Sequence, residues 1–138
     1  DLVGSYICTL PDAYNIEKSG DQYAKLINRK TNERIFVKDL GKGDQIHKNM
    51  SERWNSLSND ERYHDVKNIT IYDSIPAIYY EDYNDTINQI SYATKFNHTI
   101  LVKCTCFHDN NTVHKDTKFI IDSSAPNYKQ KDDWGKYG

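Results

Sequence analysis

A change in the spacing of apolar residues constrains the fold of this chain most strongly. Apolar residues first recur at intervals of four, four and three, at Ile46, Met50, Trp54 and Leu57. This spacing predicts an α-helix with one apolar face. From residue 69 onward the period changes to two, which is typical of β-strands. The chain is therefore expected to form an α+β domain whose helix buries one face against a sheet.

Alternating residues predict strands along most of the chain, at 6–10, 22–28, 33–40, 69–72, 77–83, 87–95 and 99–107. Residues 14–18 extend or follow the first of these. The segment 29–32 suits a hairpin loop, and the run Gly41-Lys42-Gly43 is expected to end the strand before it. Short turns between strands predict a largely antiparallel sheet.

The ends of the helices carry their own signals. Asp44 is the expected N-cap of the first helix. The run Ser58-Asn59-Asp60-Glu61 has the form of a capping box, which predicts a second helical turn reaching Val66 or a bend in the first helix. A closing helix is predicted where apolar and small residues share one side of a helical wheel, at Val113, Thr117, Ile120, Ile121 and Ser124.

The order strands, helix, strands, helix predicts a layered α+β sandwich, a largely antiparallel β-sheet flanked by helices. With 138 residues the chain has the size of one domain, which we place at 1–126, followed by a polar tail at 127–138. The 18 basic and 20 acidic residues are scattered without a basic stripe, which argues against nucleic-acid binding. No stretch approaches the roughly 20 apolar residues of a membrane span.

Several motifs recur in the order seen in a known family. The opening strand leads into Leu10-Pro11-Asp12-Ala13-Tyr14, Trp54 anchors the central helix, a strand crosses 75–80, and the closing helix ends at 120–123. In this order the chain resembles the PsbP/Mog1-like α/β/α sandwich family. It departs from the family at Ser74-Ile75, where a glycine often precedes the Pro-Ala pair. The resemblance implies a fold but no functional residues, since fold does not determine function.

Cys104, Cys106 and His108 are the most reactive group of residues in the sequence. A strand period of two places all three on one face, with His114 following. Sulfur and imidazole ligands suit zinc or copper, so a metal-binding protein or a hydrolase is one hypothesis. A disulfide from Cys8 to Cys104 or Cys106 is another.

Burial in the core is the interpretation we favour for both cysteines. Ile100 and Val102 share their strand face, and cysteine is among the most buried residue types. We expect the apolar stripe of the first helix to pack against this face, from Ile100 to Cys106. The sequence therefore indicates no catalytic residue, no metal ligand and no cofactor.

The remaining polar residues predict little chemistry. His47, His64, His98 and His108 are expected at the surface, and Glu81, Asp82 and Asp85 at a solvated strand end. The nearby Tyr79, Tyr80 and Tyr83 either cover the sheet or form a binding surface. There is no nucleophile elbow and no phosphate-binding loop. These observations favour a protein that is not an enzyme.

Asn-x-Ser/Thr sequons occur at Asn49, Asn68, Asn84, Asn97 and Asn110. Their number favours an extracytoplasmic or cell-surface setting. Because the chain begins at Asp1 and its single methionine is Met50, we expect it to be part of a longer protein.

The first functional hypothesis is a non-enzymatic binding or structural module of a larger, surface-exposed protein. Its partner would be a protein or a surface component, bound through a tyrosine-bearing sheet face or a loop. The alternative implied by the resemblance is a cytoplasmic regulator of a partner protein.

Overall fold

The computed structural model describes residues 2–3, 6–7, 9–107 and 110–126. Its main strands are β3 (Tyr14–Ser19), β4 (Tyr23–Asn28), β5 (Arg34–Lys42), β6 (Tyr63–Ile71), β7 (Ile75–Asp82), β8 (Ile87–Lys95) and β9 (His98–Cys106). They form one seven-stranded sheet in the order β3-β4-β5-β9-β8-β7-β6, and every neighbouring pair is antiparallel. Three short strands, β1 (Leu2–Val3), β2 (Tyr6–Ile7) and β10 (Ala125–Pro126), form a second sheet in the order β1-β2-β10.

Two helices cover opposite faces of the large sheet. Helix α1 (Ile46–Ser58) packs against β6, β7 and β8, and helix α2 (Asn110–Ser123) packs against β8 and β9. The result is an α/β/α sandwich, which confirms the predicted α+β class and the largely antiparallel sheet. Neither helix is long and apolar enough to cross a membrane, as far as the described residues go.

The predicted partner of the first helix is wrong. The α1 stripe packs against a cluster formed by Ile78, Tyr80, Ile90, Tyr92 and Leu101. The face from Ile100 to Cys106 points to the other side, where it packs with α2. Strand β9 has a buried apolar residue on each face, Ile100 on one and Leu101 on the other, so its pattern could not show which helix each face would meet.

The predicted closing helix and its predicted buried face are both confirmed. The predicted positions Val113, Thr117, Ile120, Ile121 and Ser124 are all buried. Together with Leu26 and Val102 they make the α2 side the larger of two cores.

The predicted second helical turn after Ser58 is also wrong. Helix α1 ends there, and the chain turns directly into β6 at Tyr63. The Asp60 carboxylate accepts hydrogen bonds from the Arg62 backbone N–H at 3.0 Å and from its guanidinium at 2.7 Å. Asp60 therefore stabilises a turn instead of capping a helix. Aspartate is common in both settings, so the sequence of this turn looks the same as that of a capping box.

Three further boundaries differ from expectation. Strand β5 does not end before Gly41 but continues to Lys42 through an irregularity in its pairing with β9, and Gly41 has a φ of 105°. Glycine adopts this conformation without strain, so here it allows a bulge instead of ending the strand. The first strand covers only Tyr6–Ile7, shorter than expected. The N-cap is Gln45, while Asp44 Oδ1 accepts the N–H of Ile46 at 3.0 Å.

Candidate functional site

Two of the three residues in the sequence-predicted reactive group lie in the core. Cys104 and Cys106 are each 3% exposed and belong to the α2-side cluster. Burial raises the pKa of Cys104 to about 12, and its Sγ lies 3.3 Å from Thr117 Oγ1. A protonated, enclosed thiol is a poor nucleophile and a poor metal ligand. His108 and Cys8 lie outside the described residues, while His114 is half-buried on α2.

One histidine that we expected at the surface is buried. His98 is 9% exposed, and its Nδ1 lies 3.0 Å from each carboxylate oxygen of Asp39. Asp39 also accepts the N–H of Gly41 at 2.8 Å, which holds the bulge at the end of β5. The sequence did contain a signal for this buried pair. Asp39 continues the alternation of Ile35 and Val37, so its carboxylate is on the buried face of the strand and needs a partner there.

The predicted tyrosine surface is largely interior. Tyr79 and Tyr80 are 9% and 2% exposed, and Tyr80 packs edge to face against Tyr63 with ring centroids 4.9 Å apart. Tyr83, at 71% exposed, lies in the turn after β7. Tyr79 and Tyr80 therefore cover the sheet instead of forming a binding surface.

The acidic residues at the end of β7 have separate roles. Asp82 Oδ1 accepts the backbone N–H groups of Asn84 and Thr86 at 2.8 and 3.1 Å, which organises the turn to β8. Glu81 pairs in register with His64 on β6. Asp85 is exposed and has a φ of 61°.

A set of basic side chains shares one face of β3, β4, β5 and β9, and we call it the basic sheet face. Register pairs join Lys18 to Lys25, Lys25 to Phe36, and Phe36 to Lys103, so these four residues form one row across four strands. Directly opposed residues point to the same side of a sheet. The basic sheet face comprises Lys18, Lys25, Arg34, Phe36, Lys38 and Lys103.

This face lies on the same side as α1 but beyond it. Phe36 contacts the edge of the α1-side core, whereas α1 itself packs over β6, β7 and β8. Lys25, Arg34 and Lys38 are exposed, and Phe36 and Lys103 are half-buried. The basic sheet face is thus the part of this layer that α1 leaves open.

A shallow groove of about 440 Å³ runs across this face, lined by Lys25, Arg34, Phe36, Lys103 and Thr105. Glu17 is the acidic residue in its lining, and it lies 3.6 Å from the Arg34 guanidinium. The Tyr23 ring packs beside Phe36 with centroids 6.0 Å apart. The groove therefore offers one apolar ring surrounded by cations.

Lys103 is the most constrained cation of the groove. Burial and then the positive charge of Arg53, on α1, lower its pKa. Arg53 in turn hydrogen-bonds Tyr92 at the border between α1 and the sheet. Lys103 is therefore partly removed from water and lies near the positive charge of Arg53. A bound anion would offset both of these unfavourable effects.

Two other depressions are less suited to a specific ligand. One, of about 720 Å³, lies along α1, where Met50 and Trp54 of the α1-side core are joined by polar residues that include Asp44, His47 and Asn68. The other, of about 300 Å³, lies between α2 and the β4–β5 loop and contains Asp12, Glu33 and Asp116. There, burial raises the pKa of Asp116 to about 6.

Sequence reasoning missed the basic sheet face because its residues are far apart along the chain. The available signal was that β4 and β5 each alternate between apolar and basic positions, as in Ala24, Lys25 and Leu26. In the sequence alone, these basic positions look like the ordinary solvent-exposed face of a strand. Only the strand register shows that they continue from one strand to the next.

The fold is that of the Mog1/PsbP-like class, a seven-stranded antiparallel sheet between two helices. The structure is similar to that of the Saccharomyces cerevisiae Ran-binding protein Mog1p, with a TM-score of 0.59 at 10% identity over 89% of this chain and 90% of that one. A point mutant of Mog1 gives a TM-score of 0.59 at 9% identity, over 89% and 91% of the two chains.

A structure from Bacteroides thetaiotaomicron has a TM-score of 0.55 at 10% identity. It covers 91% of this chain but 47% of that one, so the fold can form part of a longer protein. No family model matches the sequence, and no curated protein matches it either. At these identities the likeness defines the fold alone.

Proposed function

We propose that this domain is a non-enzymatic binding module that holds an acidic segment of a partner protein on the basic sheet face. The observation that carries the proposal is the row Lys18, Lys25, Phe36 and Lys103 across four strands, on the part of the sheet that α1 leaves open. Mog1p, which is similar in fold, binds Ran, and this supports a partner-binding or partner-regulating role.

The electrostatics of the groove favour an anionic partner. A carboxylate beside Lys103 would compensate both its burial and its repulsion from Arg53. Lys25 and Arg34, which line the same groove, would add charge-assisted contacts at its open side. The Phe36 ring offers an apolar contact at the centre, the usual arrangement of an interface.

The size of the face favours a peptide over a nucleic acid. Four neighbouring strands span about 15 Å, the length of four or five residues of extended peptide. The chain as a whole carries a net charge of -2, whereas nucleic-acid-binding domains generally carry a basic balance. A short acidic segment matches the face without meeting repulsion from the rest of the surface.

We also propose that the module lies outside the cytoplasm, a setting that the sequons favour. Asn68 and Asn84 are exposed on β6 and in the turn after β7, so a glycan could be attached to either without unfolding the sheet. A glycosidase-sensitive mass on the natural protein would support this setting. If the natural protein carried no glycan at either site, the proposed setting would lose its support.

Nuclear magnetic resonance can test where an acidic segment binds. The isotope-labelled domain would be titrated with a short peptide of alternating Glu and Leu, and separately with the same peptide carrying Lys for Glu. Shift changes at Lys25, Phe36 and Lys103 with the Glu peptide alone are expected. Changes confined to the groove along α1 would contradict the proposal.

A third titration separates the two classes of anion. A single-stranded oligonucleotide of the same charge as the peptide should bind more weakly, because the chain carries a net charge of -2 and its described residues offer no basic surface beyond this face to follow a phosphate backbone. Tighter binding of the oligonucleotide at moderate salt would overturn the assignment to a protein partner.

The cysteine-based alternatives have less support. A metal-binding protein or hydrolase using Cys104, Cys106 and His108 would need the thiols to meet a ligand, yet both cysteines are buried beneath α2. The thiol of Cys104 is also held in its protonated form by burial. We therefore do not assign the function to these residues.

A further inference from the structure

A second polar cluster lies at the opposite edge of the sheet, where His64, Asp65 and Glu81 bring three potential ligand atoms within 4.8 Å of one another. His64 and Glu81 are register partners on β6 and β7. Asp65 follows in a bulge and has a φ of 53°, which turns it out of the regular alternation. Its Oδ2 lies 2.9 Å from His64 Nδ1, and Glu81 Oε2 lies 4.0 Å from the same atom.

The second nitrogen of His64 fixes the orientation of the ring. Its Nε2 lies 3.2 Å from the carbonyl oxygen of Asp82. A carbonyl oxygen can only accept, so Nε2 carries a hydrogen. Nδ1, the atom that faces both carboxylates, is then the ring nitrogen that takes up either a proton, shared with Asp65 Oδ2 at 2.9 Å, or in its place a metal ion. Histidine ligands of metals are oriented in the same way, by donating their other N–H to a backbone carbonyl.

The two carboxylates of the cluster, Asp65 and Glu81, would balance the charge of a bound divalent cation. Lys67, which follows the bulge on β6, places its Nζ over the Tyr79 ring, 4.8 Å from the centroid.

From this geometry we infer that His64 Nδ1, Asp65 and Glu81 form a binding site for a divalent transition-metal ion of the zinc type. One imidazole and two carboxylates suit Zn²⁺, which accepts nitrogen and oxygen ligands and leaves a fourth position for water. Ca²⁺ is less suited, since it prefers six or more oxygen ligands. The exposed Tyr83 ring lies 4.8 Å from the His64 ring and shields one side of the site.

Isothermal titration of the metal-stripped domain with Zn²⁺ tests the site. We expect saturable binding of one ion per chain, weakened at least about tenfold by Glu81→Gln and by His64→Ala. His47→Ala is the matched control, because His47 is an exposed histidine on α1, and it should leave the affinity unchanged. Circular dichroism would show whether each variant keeps its fold.

Two outcomes would overturn the inference. The first is the absence of saturable Zn²⁺ binding by the unmodified domain. The second is Zn²⁺ binding that persists in Glu81→Gln and His64→Ala but disappears in Cys106→Ser, which would assign the ion to the cysteine group instead. Co²⁺ absorption distinguishes the two sets of ligands, because thiolate ligands give an intense charge-transfer band that nitrogen and oxygen ligands do not.

Discussion

The Sγ atom of Cys104 lies 3.3 Å from the Oγ1 atom of Thr117, and this contact joins the most apolar strand to the closing helix. Thr117 also accepts a hydrogen bond from Gln89 Nε2 at 3.4 Å, and Gln89 Nε2 reaches Ser91 Oγ at the same distance. A small polar network is thus enclosed in the α2-side core. It fixes α2 on β8 and β9 and accounts for the interior position of the cysteine.

This network makes the Thr117 hydroxyl important for stability. Thr117→Val keeps the shape of the side chain but removes the acceptor for Gln89, and we expect a loss of about 1–3 kcal/mol in the free energy of unfolding. Thr117→Ser keeps the hydroxyl and serves as the control. Urea unfolding of both variants measures the difference, and a loss in Thr117→Ser without one in Thr117→Val would indicate that packing rather than hydrogen bonding matters here.

The Cys104 thiol should be chemically silent in the folded domain. In a Cys8→Ser, Cys106→Ser variant it is the remaining thiol, and its burial and raised pKa keep it protonated and enclosed. We expect no reaction with a disulfide reagent until urea unfolds the chain. Rapid labelling of the native variant would show that α2 does not cover this thiol.

Asp116 should make stability depend on pH. Its pKa is about 6 in the folded domain, raised by burial and opposed by Lys115, against an ordinary value of 3.8. The folded state therefore binds the proton more tightly, so the associated stability is present below pH 3.8 and is lost as the pH rises to about 6. Asp116→Asn removes this loss.

Thermal unfolding of Asp116→Asn at two pH values measures the effect. The variant should gain melting temperature over the unmodified domain at pH 7.5, and gain little at pH 4. Glu33 and Asp12 contribute to the raised pKa, so Glu33→Gln should produce a smaller shift in the same direction. An equal gain at both pH values would show that ionisation of Asp116 is not the cause.

The two faces of α2 should differ sharply in their tolerance to truncation. Ile120 is fully buried in the α2-side core, so Ile120→Ala should cost about 2–5 kcal/mol. The preceding residue, Phe119, is 45% exposed, so Phe119→Ala should cost much less stability. Similar losses for both, measured by urea unfolding, would contradict the orientation of the helix.

The fold was largely predictable because its signals are local. The stripe from Ile46 to Leu57 needs only a helical period, and the strands 87–95 and 99–107 need only alternation. Which helix lies on which face was not predictable, since Ile100 and Leu101 are equally apolar neighbours pointing to opposite sides. That choice depends on packing across the whole sheet.

The candidate sites were less predictable, because each depends on register. Lys25 and Lys103 are distant in sequence and share the groove only through Phe36, which pairs with both. His64 and Glu81 meet because β6 and β7 pair in one particular alignment, and Asp65 joins them through a bulge. A bulge shifts every later residue of a strand, and alternation alone does not reveal it.

The most direct test of the proposed function is charge reversal on the basic sheet face. Fluorescence anisotropy of a labelled Glu-Leu peptide would be compared for the unmodified domain, a Lys25→Glu, Lys103→Glu variant and a Lys25→Glu, Lys38→Glu variant. The second variant changes only exposed lysines and so guards against a loss of folding. Lys30→Glu, Lys48→Glu changes the net charge equally at exposed positions elsewhere.

We predict that both variants of the basic sheet face lose at least about tenfold in affinity for the peptide, while the Lys30, Lys48 control loses much less. The same loss in all three variants would mean that net charge, rather than this face, attracts the peptide, and would contradict the account.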